Sequence, residues 1–315
     1  ADTDIIEISN EDELISFANS CRNDSYSFGR KVKLTSDISI TKDGFEGIAY
    51  FNGTFDGGNH TIRNLNKEYI GSDYGFFRYL GEDAYVYNLS VSGTITASGS
   101  QKNIGGIAGV NKAGARLINC NSDADISATN QTGGIAGNNQ GIISGCISRS
   151  KVNTNELNSS FDIGGVDVGT LNITQHVVDR NDMGGIAGYS TGVISDSTNY
   201  GAVGYSHMGY NAGGIVGNQK GKVYNCTNEG SVYGRKDVGG IVGQAQPYIE
   251  SEYLNDRVNQ LSESVDSIGN IMSGLSSSIG DTSAEVSGYV ESLTEKYKEN
   301  SEIFAESIKD VSDTI

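Results

Sequence analysis

A glycine pair followed by an apolar residue recurs down this chain, and that recurrence limits the fold more than any other feature. Gly105-Gly106-Ile107-Ala108-Gly109 is followed by Gly133-Gly134-Ile135, Gly184-Gly185-Ile186, Gly213-Gly214-Ile215 and Gly239-Gly240-Ile241. The starts lie 28, 51, 29 and 26 residues apart. The long step is nearly two periods and contains Gly164-Gly165-Val166, which suggests an irregular coil within it. A weaker copy, Gly75-Phe76-Phe77, precedes them all. Beyond the glycines, Val86, Leu117, Ile143, Ile194 and Val223 share one position, and Leu89, Cys120, Cys146, Ser197 and Cys226 another. Ile95, Ile126, Val152, Val203 and Val232 share a third. Apolar or small residues alternate with polar ones between these points, the period of a strand.

Short strands at such a spacing, with no helix-length segment between them, predict a parallel β-solenoid. One coil cannot bury its inner face alone. Stacked coils, about 4.8 Å apart, align equivalent side chains into ladders. Ile135, Ile143 and Cys146 are expected to point inward. The glycines are expected at corners, where they supply positive φ or a close backbone approach. Asn111, Asn139 and Asn218 are expected near one turn in the left-handed conformation.

The 43 glycines come with one proline and no Gly-X-Y period, which excludes collagen and a Pro/Gly linker. The formal charge of -17 argues against a nucleic-acid partner, which needs Lys and Arg to neutralise phosphates. No run of about 18 apolar residues exists, so no membrane insertion is expected. The opening Ala1-Asp-Thr-Asp is compatible with a mature end left by signal-peptide cleavage.

The units GGIAGNNQGIISGC and GGIVGNQKGKVYNC resemble the GLUG repeat. The upstream run from Phe51 to Leu65, FNGTFDGGNHTIRNL, is similar to a segment that opens many secreted bacterial right-handed β-helices. The resemblance covers roughly Ile5 to Gly243. It implies a mainly β fold, a right-handed parallel β-helix, in a bacterial protein that is extracellular or on the cell surface. GLUG repeats occur in large surface proteins, including some bacterial immunoglobulin-A metalloproteases. The zinc-protease signature H-E-x-x-H is absent from this sequence, so the resemblance carries no protease activity over.

The ends differ from the middle. Residues 9–21 read as a short amphipathic helix capped by Ser9, Asn10 or Asp12, with Leu14, Ile15, Phe17 and Ala18 on its apolar face. This helix would plug the first coil, and Val32–Leu34 and Ile38–Ile40 would be the first strands. An insert spans 154–181. The β-helix domain is expected over 1–247, closing at Pro247. A helical stalk or coiled coil follows over 248–315. Its apolar seam runs Leu254, Val258, Leu261, Val265, Ile268, Met272, Leu275 and Ile279. Either one long helix continues past Gly280-Asp281, or Thr282-Ser-Ala-Glu285 caps a second helix of a hairpin. Self-association through 254–315 is the partner expectation for this segment.

Few residues point to chemistry. Cys120, Cys146 and Cys226 share a repeat position, which favours a ladder of buried thiols over a disulfide, although Cys120 and Cys146 fall in neighbouring coils. Neither C-x-x-C nor paired histidines suggest a metal, and no cofactor is implied. His60, in the GGNH turn, reads as structural. The row outside the cysteines pairs Asp123 with Arg149, and the next pairs Asp125 with Lys151. No row stacks two or three acids as a glycoside-cleaving site would need. Tyr200, Tyr205, Tyr210, Tyr224 and Tyr233 crowd the last coils and are candidates, with Asp123 and Arg149, for binding a glycan or a host or cell-surface protein. The expectation is a structural or adhesive surface rod without enzymatic activity. The alternative is a polysaccharide lyase or hydrolase, or a glycan-binding module.

Overall fold

The computed structural model describes residues 5–42, 44–98, 102–155 and 180–246, and further on Ser292, Glu295, Lys296 and Lys298, which are helical. The chain divides into two compact units, Ala1–Tyr248 and Ile249–Ile315. The expected coiled coil and its hairpin alternative lie outside the described residues, those four positions apart.

The first unit is a parallel β-solenoid whose strands form sheets of eight, eight, five and seven members. One turn shows the plan. Asn130–Gly133 belongs to the third sheet, Ala136–Asn139 to the fourth, Ile142–Ser144 to the first and Ile147–Ser148 to the second. Each strand pairs in parallel with its equivalents in the turns before and after. The predicted ladders stand in register. Leu117 pairs with Ile143 and Ile143 with Ile194, and single bridges join Ile126 to Val152 and Val152 to Val203. Ile135, Ile143 and Cys146 are fully buried.

The repeated glycines are needed for space. None of the glycine pairs 105–106, 133–134, 184–185, 213–214 and 239–240 has positive φ. Instead, the third and fourth sheets meet backbone to backbone. A Cβ on Gly137 would stand 2.2 Å from the carbonyl carbon of Asn103 and 2.3 Å from the Ile104 nitrogen. One on Gly133 would stand 2.1 Å from the Ala136 oxygen and 2.7 Å from the Cα of Ala187. The left-handed positions form other files. One holds Asn103, Gln131, Asp182, Asn211 and Asp237; another holds Asn88, Asn119, Gly145, Asp196 and Asn225. Asn and Asp occupy such positions because a short polar side chain bonds locally and offsets the Cβ crowding.

Asn111 and Asn139 therefore have a different role from the turn expected of them. They are buried strand ends with ordinary φ, and they pair with each other. The Nδ2 of Asn111 donates to Asn139 Oδ1 at 2.7 Å, and the Nδ2 of Asn139 donates to Ser190 Oγ at 3.1 Å. Asn218 falls one position out of this file, in register with Tyr189. The file satisfies polar groups inside the coil, and similar ladders of Ser and Asn help a chain that is only 36% hydrophobic to fill its core. The early turns carry the bulk. Phe51, Phe55, Phe76 and Phe77 are buried together, with the Phe55 and Phe77 rings 5.3 Å apart.

The 51-residue step is one turn, not two. Gly133 pairs with Gly184, Ile143 with Ile194 and Ser148 with Asn199, so no coil intervenes. The supposed Gly164-Gly165 copy adds no layer to the stack, and its residues lie outside the described ones. At the neck of this insertion Arg180 is buried, and its Nη1 donates to the carbonyls of Asn153 and Asn155, both at 2.9 Å.

The amino-terminal cap begins earlier than expected. A strand, Ile5–Ile8, precedes the helix and pairs in parallel with Lys31–Leu34. The helix spans Glu11–Ser20 and starts with a capping box. Asn10 Oδ1 accepts from the Glu13 N–H at 3.1 Å, while Glu13 Oε2 accepts from the Ser9 N–H at 2.7 Å. Leu14, Phe17 and Ala18 are buried, and the Phe17 ring meets Phe51 edge-on at 6.2 Å. The helix thus covers core that a further coil would otherwise bury. At the other end, Ile241 is 38% exposed where its equivalents Ile135, Ile186 and Ile215 are fully buried. Among the described residues no helix is long and apolar enough to cross a membrane.

Candidate functional site

On the second sheet, the backbone register sets Ser92 beside Asp123, and the following turns add Arg149, Tyr200 and Glu229 to the same outward row. Arg149 stands between an acid and an aromatic ring. Its guanidinium lies over the Tyr200 ring, 5.2 Å from the centroid, and it forms no ion pair with Asp123. The ring contact at this exposed site is worth about 0.5–1 kcal/mol, and the ring offers the planar group a flat surface to stack on. In the next row Lys151 does meet Asp125, at 3.6 Å, with both side chains more than half exposed. Such a pair contributes about 1 kcal/mol at most.

The five candidate tyrosines divide among three places. Tyr200 is on the second sheet and Tyr224 on the outer face of the first. Tyr205, Tyr210 and Tyr233 belong to the corner between the second and third sheets, and the insertion leaves from this same corner one turn earlier. The Arg235 guanidinium covers the Tyr210 ring at 5.8 Å. Tyr200, Tyr224 and Tyr233 are exposed, and Tyr205 and Tyr210 are half-buried.

The structure also groups aromatic residues that the repeat spacing did not single out. Tyr50 and Tyr79 are neighbours on the fourth sheet, and Lys112 lies over both rings, 5.7 and 5.9 Å from their centroids. The Tyr79 hydroxyl donates to Asp73 Oδ2 at 2.5 Å, and Asn103 Nδ2 donates to the other carboxylate oxygen. Burial, and next the Asp73 carboxylate, push the Tyr79 hydroxyl up to about 12. Tyr85 and Tyr87 stack side by side on the outer face of the first sheet, with centroids 4.9 Å apart and planes at 28°. These tyrosines precede the clear glycine repeats. The alternation in Tyr85-Val86-Tyr87 was the one signal that could have placed two rings on one face.

The remaining candidates hold the scaffold. His60 Nδ1 lies 3.3 Å from Asp37 Oδ1, and the same carboxylate accepts from the Thr61 N–H and from Arg63. The Thr61 N–H, followed by His60 and Arg63, holds Asp37 below the usual carboxylate range. All four cysteines are free thiols; Cys21, Cys120 and Cys146 are buried and Cys226 is half-buried. Burial pushes the Cys146 thiol well up, and the neighbouring Cys120 adds to this. Among the described residues no group of three or more His, Cys, Asp or Glu could hold a metal ion.

Comparison with known proteins agrees with this geometry. The family model of the GLUG motif matches residues 208–233. That span runs through Tyr210–Gly213, Val216–Gln219, Lys222–Tyr224 and Thr227–Asn228, so the family's unit is one turn of the solenoid. No curated protein sequence matches the chain. A similar solved structure is that of a putative immunoglobulin A1 protease from Bacteroides ovatus, with a TM-score of 0.53 and 19% identity over 78% of this chain and 85% of that one. At that identity the likeness concerns the fold alone. The chain is a parallel β-solenoid protein, one turn of which matches the GLUG motif.

Proposed function

We propose that this chain is a non-enzymatic surface rod, displayed outside the cell, that binds a partner through its lateral faces. The observation that carries this reading is the set of outward tyrosine rings overlaid by Lys or Arg along the solenoid: Tyr50 and Tyr79 by Lys112, Tyr200 by Arg149, and Tyr210 by Arg235. Tyr and Arg are the side chains that most often anchor interfaces, because they bring large contact area and directed polar groups together. A register-locked stack holds those rings at fixed spacing on a stiff support. The right hand of the helix is supported by the resemblance of the Phe51–Leu65 run and by the strong preference of parallel crossovers for that hand. The heptad seam from Leu254 to Ile279 supports self-association through 254–315 as the means of multiplying weak lateral contacts.

The test is retention of surface proteins and polysaccharides by the full chain, with the mass of each retained ligand measured before and after incubation. Retention with unchanged mass is the expected result. Cleavage of a retained polysaccharide or protein would replace the rod with an enzyme, the polysaccharide case being the lyase or hydrolase alternative.

A further inference from the structure

The outer face of the first sheet departs from the charge of the whole chain. Its strands Ile5–Ile8, Lys31–Leu34, Thr54–Asp56, Tyr85–Tyr87, Arg116–Ile118, Ile142–Ser144, Val193–Ser195 and Lys222–Tyr224 pair in unbroken succession. Following the register, Lys31, Arg116 and Lys222 fall in one outward column, each three turns from the next. At about 4.8 Å per turn, neighbouring cations stand about 14 Å apart. Lys33 adds a further cation in the adjoining column. Lys31, Lys33 and Arg116 enter none of the ion pairs among the described residues. The outward acids of this sheet are Glu7 and Asp56, both beside Lys33 in the adjoining column, and the Asp56 carboxylate already accepts from the Gly58 N–H at 2.8 Å, so the four cations outnumber them and the column of Lys31, Arg116 and Lys222 holds no acid. The chain as a whole carries -17, so this face is a local inversion of sign.

Between Lys31 and Arg116 stands the stacked pair Tyr85 and Tyr87, with Tyr85 38% exposed. The two rings lie against each other, 4.9 Å apart and 28° from parallel, so they form an aromatic ridge on an open sheet, which does not enclose a small molecule. It fits something long and flat-faced. A nucleic acid strand carries a charge about every 3.4 Å, which would leave several phosphates uncompensated for each cation in this column. A peptide lying on a sheet face would find side chains but no edge, leaving its own N–H and C=O groups without backbone partners. A sugar ring presents an apolar C–H face to an aromatic ring and turns its hydroxyls sideways to polar neighbours.

We infer that the outer face of the first sheet is the docking track for an anionic polysaccharide lying along the solenoid axis. A sugar packs against the exposed Tyr85 of that ridge, an acidic group meets Arg116, and the chain extends toward Lys31 and Lys222. This rests on the binding-rod reading and names its ligand class and its face.

The test is affinity electrophoresis of the full chain through gels containing polygalacturonate, dextran sulfate or neutral dextran. At least one anionic polymer retards the protein and dextran does not, the responding polymer showing whether carboxylate or sulfate is preferred. Arg116→Ser, and separately Tyr85→Ala, weaken that retardation at least tenfold, while Tyr85→Phe preserves it and Arg22→Ser, which removes an exposed charge elsewhere, leaves it unchanged. Circular dichroism melts confirm that each variant folds. The track is overturned by retardation in neutral dextran equal to that in the polyanions, by no retardation in any gel, or by retardation that survives both Arg116→Ser and Tyr85→Ala. Shortened polymer recovered from the gel would overturn the non-enzymatic reading instead, and would leave the track standing wherever the two variants still lose binding.

Discussion

Gly134→Ala isolates the reason for the repeated glycines. A Cβ at Gly134 would stand 2.1 Å from Ser148 Oγ and 2.2 Å from the Gly185 carbonyl oxygen. The second neighbour is backbone held by the next turn, so it cannot rotate away. Overpacking of this kind costs about 1–3 kcal/mol, and two contacts this short place it at the upper end. The loss of unfolded-state freedom on replacing glycine returns about 0.4–1 kcal/mol, because φ here is not positive. The net effect is a destabilisation of about 2 kcal/mol, or about 4–8 °C in Tm for a domain of this size. Gly240 holds the same motif position in the last described turn, and a Cβ there meets nothing within 4 Å. Gly240→Ala is therefore expected to melt at or slightly above the wild-type temperature. Differential scanning calorimetry on the two variants decides the matter. Equal losses at both positions would show that the motif requires glycine for its conformation, and the steric account of backbone-to-backbone packing would fail.

Asn139→Ala removes the centre of the Asn111–Asn139–Ser190 file and leaves the buried Asn111 amide with only its 3.4 Å contact to the Ile142 carbonyl, which costs about 1–3 kcal/mol in urea unfolding. A variant as stable as wild type would mean the file contributes nothing. Stability should also fall at alkaline pH. Burial pushes Cys21 from 9.0 up to about 12, and Tyr79 rises from 10.0 to about 12. Between these values the unfolded chain has released protons that the folded chain retains, so the stabilisation present below pH 9 is lost as pH rises toward 12. Denaturation midpoints measured from pH 8 upward check this, and Cys21→Ala should make the decline shallower. Alkylation of the native protein should modify Cys226 first, because Cys21, Cys120 and Cys146 are fully buried; mass spectrometry reporting Cys146 among the first modified would contradict the inward ladder.

The ladders were legible because they are periodic in sequence. Ile143, Ile194 and Val223 needed only alignment on the glycine pairs to reveal a shared inward position. The purpose of the glycines was not legible, since the atoms that forbid a side chain at Gly137 belong to the preceding turn, at Asn103 and Ile104. Asn111 was misplaced for a related reason. The same residue type serves left-handed turns and buried polar files, and only φ and the partner distinguish them. Tyrosine density along the sequence pointed to the last coils. Yet residues close in sequence, such as Tyr200 and Tyr205, fall on different parts of the outer surface. Tyr85 and Arg116, far apart in sequence, stand side by side in one outward row on adjacent turns through the register. Surface sites on a solenoid are written across turns, at a spacing that a linear scan does not sample.

The insertion shows how far that scaffold is independent of what hangs from it. The turns on either side pair directly at Gly133 with Gly184 and at Val152 with Val203, so the described turns are joined to each other in register. Arg180 brings the two ends together, its Nη1 bonded to the carbonyls of Asn153 and Asn155. A deletion of 156–179 that joins Asn155 to Arg180 through a short Gly-Ser link should therefore fold. Closing a loop of a few residues in place of one several times longer lowers the closure cost by about 1–2 kcal/mol. The variant is expected to melt at the wild-type temperature or a few degrees above it, with the same parallel-sheet circular dichroism. If the polysaccharide track lies on the first sheet, Tyr85-dependent retardation should also survive the deletion, because the insertion leaves from the corner between the second and third sheets. A variant that fails to fold would mean the ladder is not self-sufficient at that turn. One that folds but no longer binds would move the site from the first sheet to the insertion.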